Sequence, residues 1–383
     1  ICFVTGVPGA GKTLVGLNIA NERHQYDKQE HAVFLSGNGP LVAVLREALV
    51  RDEIKRCKGK ITKITSKRKV AAFIQNIHHF RDTYLPPSEQ VPAEKVTIFD
   101  EAQRAWTKEQ TAKFMLKRHV PSWNMSEPEF LISVMDRHQD WAVIICLIGG
   151  GQEIHTGEAG LLAWFDALRN HFPHWNVYVS PQISDVEYTQ GKPLESLFMG
   201  LHLYQEKKLH LSVSLRSFRN EKVSAFVKSL LDENLPIAQQ LYSELSLNYP
   251  IVITRSLEKA KQWVQNQSRG TERYGLISSS GAKRLRQFGI WVQNDIQAEN
   301  WFLNDKEDVR SSYFLEETAT EFDIQGLEID WAIVAWDADF RIEKGHFKAY
   351  NFKGSSWKIV RKKDAQLYLK NTYRVLLTRA RQG

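Results

Sequence analysis

At 383 residues the chain is longer than a single hydrophobic core usually supports, so two domains of roughly 150 to 200 residues each are expected. An apolar share of 43% with 25% charged residues excludes a largely disordered chain, and no apolar run reaches the roughly 18 residues that span a bilayer. Cys2, Cys57 and Cys146 are too few and too scattered for a disulfide framework or a zinc site, which implies a reducing, cytoplasmic setting with no membrane. The excess of 51 Lys and Arg over 44 Asp and Glu, a net +7, favours a polyanionic partner such as nucleic acid.

Apolar runs bounded by turn residues predict strands over 1–5, 31–36, 96–100 and 142–149, with helical patterns between most of them. That is the pattern of a parallel sheet covered by helices. A second series predicts strands over 251–254, 274–278, 314–319, 331–336 and 372–376, and helices near 220–231 and 257–267. The stretch 155–210 carries Pro173, Pro181 and Pro193 and lacks a clean period, so the link between two α/β units is placed there. The chain opens in mid-strand and ends on Arg381, Gln382 and Gly383, which reads as trimmed at both ends, with flanking modules such as a nuclease outside it.

Directly after the first predicted strand, Gly6-Val7-Pro8-Gly9-Ala10-Gly11-Lys12-Thr13 fits G-x-x-x-x-G-K-[ST] at every fixed position, and a helical segment follows it. Glycines let several amide N–H groups wrap a β-phosphate, and the helix start adds its positive dipole end. Lys12 would bridge the β- and γ-phosphates of ATP, and the Thr13 hydroxyl would hold Mg2+. The predicted strand over 96–100 then delivers Asp100 and Glu101 at its carboxyl end, where open α/β sheets place ligands. Alone, such a pair reads as a helix N-terminus. Beside the loop it reads as a metal carboxylate, Asp100, followed by Glu101 orienting or deprotonating the attacking water. Between these motifs, Ser36, Gly37 and Asn38 form either an ordinary strand-to-helix turn or a loop giving close backbone approach to nucleic-acid phosphates.

The order of these motifs resembles a superfamily 1 helicase motor. Asp100-Glu101-Ala102-Gln103 is similar to motif II, in which Gln103 joins the nucleotide site. Gly149-Gly150-Gly151-Gln152-Glu153-Ile154 is similar to motif III, whose glutamine, Gln152 here, senses the γ-phosphate, although the usual Gly-Asp start is absent. Leu215-Arg216-Ser217 is similar to motif IV, and Gln325-Gly326-Leu327-Glu328 to motif V. The latter resemblance implies nucleic-acid contact for Gln325 and a nucleotide-side position for Gly326 and Glu328, the glutamate near the ribose. The run 373–381 is similar to motif VI, with Arg379 at its catalytic arginine. Arginines supplied across a cleft would couple hydrolysis to domain closure.

A nearer resemblance is to the Schlafen-type group 3 DNA/RNA helicase-like domain, also known as domain of unknown function 2075. Its carriers are the runs 36–42, 99–106, 126–130, 149–154 and 320–328, and within that family the triple glycine is expected. The resemblance implies two RecA-like domains, each a mainly parallel sheet flanked by helices, over 1–205 and 206–383, with ATP hydrolysis coupled to single-stranded DNA or RNA. The rival reading is a nucleotide-gated switch that clamps nucleic acid without unwinding it. A small-molecule kinase would leave Arg216 and the last two motifs without a purpose. Trp291, Trp301, Phe302 and Trp357 read as core aromatics or as base-stacking platforms, and Lys358, Arg361, Lys362 and Lys363 as a solvated face or a phosphate track.

Overall fold

The computed structural model describes residues 1–7, 9–26, 31–118, 120, 123–149, 160–184, 197–213 and 218–383. The chain forms two compact units, one of residues 1–37 and 53–215, the other of residues 38–52 and 216–383.

The first unit is an α/β layer built on an eight-stranded parallel sheet. Its strands are β1 (Cys2–Gly6), β2 (His31–Ser36), β3 (Ile74–Asn76), β4 (Glu94–Asp100), β5 (Val143–Leu147), β6 (Asn176–Val179), β7 (His202–Gln205) and β8 (His210–Leu211). They lie in the order β3-β2-β4-β5-β1-β6-β7, and β8 pairs with the end of β1. The central strands are buried almost throughout, which is why they read as unbroken apolar runs: helices cover both faces of a parallel sheet. Register brings the carboxyl ends into line, with Ser36 opposite Asp100, Phe99 opposite Cys146 and Val4 opposite Leu147.

The covering helices are α1 (Lys12–Tyr26), α3 (Lys63–Phe73), α4 (Ile77–Thr83), α5 (Lys108–Lys117), α6 (Glu127–Met135) and α7 (Gly160–His171), whereas the first fourteen residues of α2 (Gly39–Arg56) belong to the second unit. Helix α1 lies close on the sheet because Gly16 has no side chain. A Cβ there would stand 2.7 Å from Leu147, 3.0 Å from Ile98 and 3.1 Å from Phe34. Phe3, Phe99, Trp164 and Phe165 form an aromatic centre between the sheet and α7.

The second unit holds a three-stranded parallel sheet in the order β10-β9-β11, from β9 (Tyr274–Ser278), β10 (Thr318–Thr320) and β11 (Trp331–Ala335). An antiparallel meander follows: β12 (Phe340–Glu343), β13 (His346–Lys353) and β14 (Ser356–Ile359). Its helices are α8 (Phe218–Leu231), α9 (Leu235–Leu245), α10 (Leu257–Gln267), α11 (Ala298–Leu303) and α12 (Lys363–Leu377). Trp301, Tyr373 and Leu376 are fully enclosed in its core.

Several sequence expectations are corrected here. The run 251–254 is not a strand: among the described residues no strand pairs with it, and Ile253 is 96% exposed. The run 372–376 lies inside α12, where Leu369, Tyr373 and Leu376 recur at helical spacing on the core side. The strand expected over 314–319 begins only at Thr318, because Leu315 adopts a left-handed φ of 57° and breaks the extended run. The stretch 155–210 is not a bare link, since it contributes α7, β6 and β7 to the first unit.

Candidate nucleotide and nucleic-acid site

The phosphate-loop sequence lies between β1 and α1. Gly9 and Gly11 take φ values of 76° and 83°, a conformation that a side chain would oppose, and Ala10 N donates to Val7 O at 3.1 Å to close the turn. Lys12 is the first residue of α1 and folds back over the loop, its Nζ donating to Gly6 O at 2.8 Å and to Val7 O at 3.2 Å. The start of the loop is clipped by β8, since Val7 N donates to Leu211 O at 3.1 Å and Thr5 Oγ1 meets His210 Nδ1 at 2.9 Å. The clip explains Gly6: a Cβ there would lie 2.8 Å from Leu211 Cβ. Nothing in the sequence marked His210 and Leu211, because a two-residue strand more than 200 positions away leaves no local period.

The side chains of Thr13 and Asp100 meet, with the Thr13 hydroxyl 3.1 Å and 3.3 Å from the two carboxylate oxygens. Asp100 is buried, and that burial, reinforced by the neighbouring Glu101 charge, pushes its carboxyl up to about 7 against the pull of the Thr13 hydrogen bond. A desolvated carboxyl beside a hydroxyl and an ammonium group is a place where added positive charge is favoured. Among the described residues no cluster of three or more His, Cys, Asp or Glu could cage a metal. A hydroxyl and one carboxylate suit Mg2+, which keeps much of its shell from water and phosphate oxygens.

Glu101 sits in a left-handed conformation, φ 52° and ψ 44°, immediately after β4. This conformation turns the chain sharply and presents a carboxylate at the strand end, at the cost of backbone strain. Gln103 holds that carboxylate: its Nε2 donates to Glu101, and its Oε1 accepts from Gly149 N at 3.1 Å. Both ends of the buried amide are therefore satisfied, and Gly149 must stay small because a Cβ would stand 3.1 Å from both Gln103 and Glu101.

Two further groups, not singled out by the sequence as site residues, anchor this segment. Trp164 on α7 donates its indole N–H to Ala102 O at 2.9 Å. Glu127, at the start of α6, accepts from Trp106 N at 3.0 Å and pairs with the fully buried Arg81 at 3.2 Å. The Arg81 guanidinium also lies over the Phe114 and Trp106 rings, 4.4 Å and 5.1 Å from their centroids. The run 126–130 thus has a structural purpose: Ser126 and Glu129 close a capping box at the start of α6, and Glu127 ties that helix to the segment after Asp100. The signal was present as an acidic residue at a helix start, but its partner Arg81 is 46 positions away.

Ser36 ends β2, and Gly37 follows it in the first unit. In the second unit Asn38 reaches Gln325, its Nδ2 donating to Gln325 O at 2.5 Å while its Oδ1 accepts from Leu41 N at 3.1 Å. Gly326, at φ 76°, lies against Asn38 and Leu41. Glu328 meets Arg381 at 3.2 Å, and Arg379 is buried just after α12. Glu321 follows β10 and accepts from Ser280 N at 2.8 Å and Ser280 Oγ at 2.7 Å, while Asp323 accepts from Thr320 N at 2.8 Å. Pro8, Gln152 and Arg216 lie outside the described residues. Of the aromatics, Trp301 and Phe302 are core residues, whereas Trp291 stacks under Arg286 at 3.9 Å.

Among the described residues no helix is long and apolar enough to cross a membrane. A family model described as Schlafen group 3, DNA/RNA helicase domain, matches residues 1–383. No curated protein matches the chain. Among solved structures it is similar to the helicase domain of Hef from Pyrococcus furiosus, with 13% identity, 87% of this chain and 86% of that chain covered, and a TM-score of 0.30. A superposition that loose has no bearing on the site.

Proposed function

Because the chain belongs to the Schlafen group 3 DNA/RNA helicase domain family, we propose that it is a nucleic-acid-dependent ATPase of the superfamily 1 type, coupling hydrolysis to movement on or remodelling of a single strand. The observation that carries this reading is the joining of Thr13, Asp100 and Glu101 at the carboxyl end of one sheet, beside a glycine loop that holds Lys12.

In this reading the loop amides and Lys12 bind the triphosphate, and Lys12 exchanges its two carbonyl partners for phosphate oxygens. Thr13 and Asp100 would hold Mg2+, which would supply neutralising charge on the phosphate oxygens. Glu101 orients a water for in-line attack on the γ-phosphorus and accepts its proton as the new P–O bond forms and the bond to the bridging oxygen breaks. Gln103 keeps the Glu101 carboxylate at that position. Gln152 senses the γ-phosphate, Arg216 and Arg379 stabilise the charge that develops there, and Glu328 approaches the ribose. Ser36, Gly37, Asn38 and Gln325 contact the single strand.

The test is the ATP hydrolysis rate with and without single-stranded DNA and RNA, together with strand displacement. Stimulated hydrolysis with ATP-driven displacement is expected, and Lys12→Ala should abolish turnover while leaving the melting temperature unchanged. Parental turnover in Lys12→Ala would defeat the assignment. Stimulation without displacement would leave a nucleotide-gated clamp.

A further inference from the structure

The antiparallel meander of the second unit carries a strong local excess of positive charge. Residues 341–363 contain eight Lys and Arg against one acidic residue, Glu343, a net +7. The whole chain also has a net charge of +7, so the charges outside this segment sum to zero. Arg341 pairs with Glu343 at 2.7 Å and lies 3.8 Å from the Tyr350 ring centre, which accounts for the one acid. Lys344, Lys353, Lys358, Arg361 and Lys362 are exposed, and no carboxylate among the described residues pairs with them.

Their placement follows from the backbone. Lys344 occupies the turn between β12 and β13 at φ 53°, and Asn351 lies opposite Lys358, so Lys353 and Lys358 stand on the same face as diagonal neighbours. Arg361 and Lys362 continue from β14 into the start of α12. The meander is held rigidly at its base, where Phe340 stacks on Phe347 at 4.7 Å and 3° and Trp336 stacks on Tyr373 at 4.2 Å. Unpaired like charges on one rigid element repel one another, and a polyanion relieves that repulsion while releasing its own counterions.

From this we infer that the β12–β14 meander and its exit into α12 form a phosphate-tracking surface for nucleic acid, separate from the strand-end loops assigned above. The inference rests on the proposal that nucleic acid is the partner. Backbone contacts of this kind bind without reading sequence.

The experiment measures binding of fluorescent oligo-dT and oligo-rU to the full chain by anisotropy over about 0.05 to 0.3 M salt. The quadruple variant Lys353→Gln, Lys358→Gln, Arg361→Gln, Lys362→Gln is compared with a control of equal charge loss at the exposed Lys108, Lys113, Lys117 and Lys259. The meander variant should bind at least about tenfold more weakly near 0.1 M salt, with the log–log salt slope flattened by up to about 3, while the control keeps the parental slope. A melt checks that both variants remain folded; should the quadruple variant fail it, the pair Lys353→Gln, Lys358→Gln is read instead, with about half the slope change. Equal affinity and slope in parent and meander variant would overturn this inference and leave the ATPase reading intact. A parent that binds neither oligonucleotide would sink both. Capture of the parent by phosphatidylserine vesicles that oligo-dT fails to displace would show an anionic membrane as the partner and would also overturn it.

Discussion

Replacing Glu127 removes the only carboxylate that both pairs with Arg81 inside the first unit and accepts from Trp106 N, among the described residues. In Glu127→Ala the Arg81 guanidinium stays fully buried, keeping Asp82 at 3.2 Å and its two aromatic rings. Breaking a buried pair by deleting one partner costs about 3 to 5 kcal/mol, and the surviving Asp82 contact places this case near the lower end. The orphaned Trp106 N–H adds about 1 kcal/mol, for a total of about 4 kcal/mol. At about 2 to 4 °C per kcal/mol for a unit of this size class, the melting temperature should fall by about 8 to 16 °C. Burial raises the Glu127 carboxyl against the pull of Arg81, so desolvation outweighs the ion pair. The double variant Arg81→Met, Glu127→Gln should therefore recover more than half of the loss, since it buries no lone charge and keeps an acceptor for Trp106. Calorimetry on the parent, Arg81→Met, Glu127→Gln and the double variant gives the cycle, with Glu127→Ala measured beside it. A Glu127→Ala melting temperature within about 2 °C of the parent would refute the reasoning.

Gln103→Ala frees the Glu101 carboxylate and removes the acceptor for Gly149 N, so kcat for ATP should fall by about 10- to 100-fold with KM little changed, a difference steady-state kinetics resolves; a kcat within a factor of about two would argue against a positioning role. Asp339 is buried against Tyr373 Oη at 2.5 Å and Ser279 Oγ at 2.7 Å, and burial pushes its carboxyl up to about 6 from 3.8. The folded state then holds a proton that the unfolded state has released. Stability from this group is complete below pH about 4 and is lost as pH rises through about 6, by at most about 3 kcal/mol. Urea midpoints of the parent minus Asp339→Asn should decline across that window, and a difference that stays flat would contradict the burial of the acid.

What could be read from the sequence was whatever repeats locally. The phosphate loop, the strand that delivers Asp100 and the helices 257–267 and 220–231 each announce themselves within a few residues, through glycine spacing, an apolar run or a helical period. The failures share a cause. Tyr373 and Leu376 were read as a strand because a short apolar run with β-branched neighbours has no distinctive period, and only burial in a helix decides it. The clip by His210 and Leu211, the Arg81–Glu127 pair and the Asn38–Gln325 contact join positions 46 to 287 apart, where sequence offers no spacing to read.

The left-handed backbone at Glu101 has a consequence for how such a protein drifts. A glutamate held there costs on the order of 1 kcal/mol of folding energy, whereas asparagine tolerates that conformation. Laboratory selection for heat resistance alone would favour Glu101→Asn and, on the proposed role of Glu101 in activating water, would yield hardier descendants without turnover. Retention of the acid in a natural lineage would then record selection on turnover, imposed against the preference of the fold.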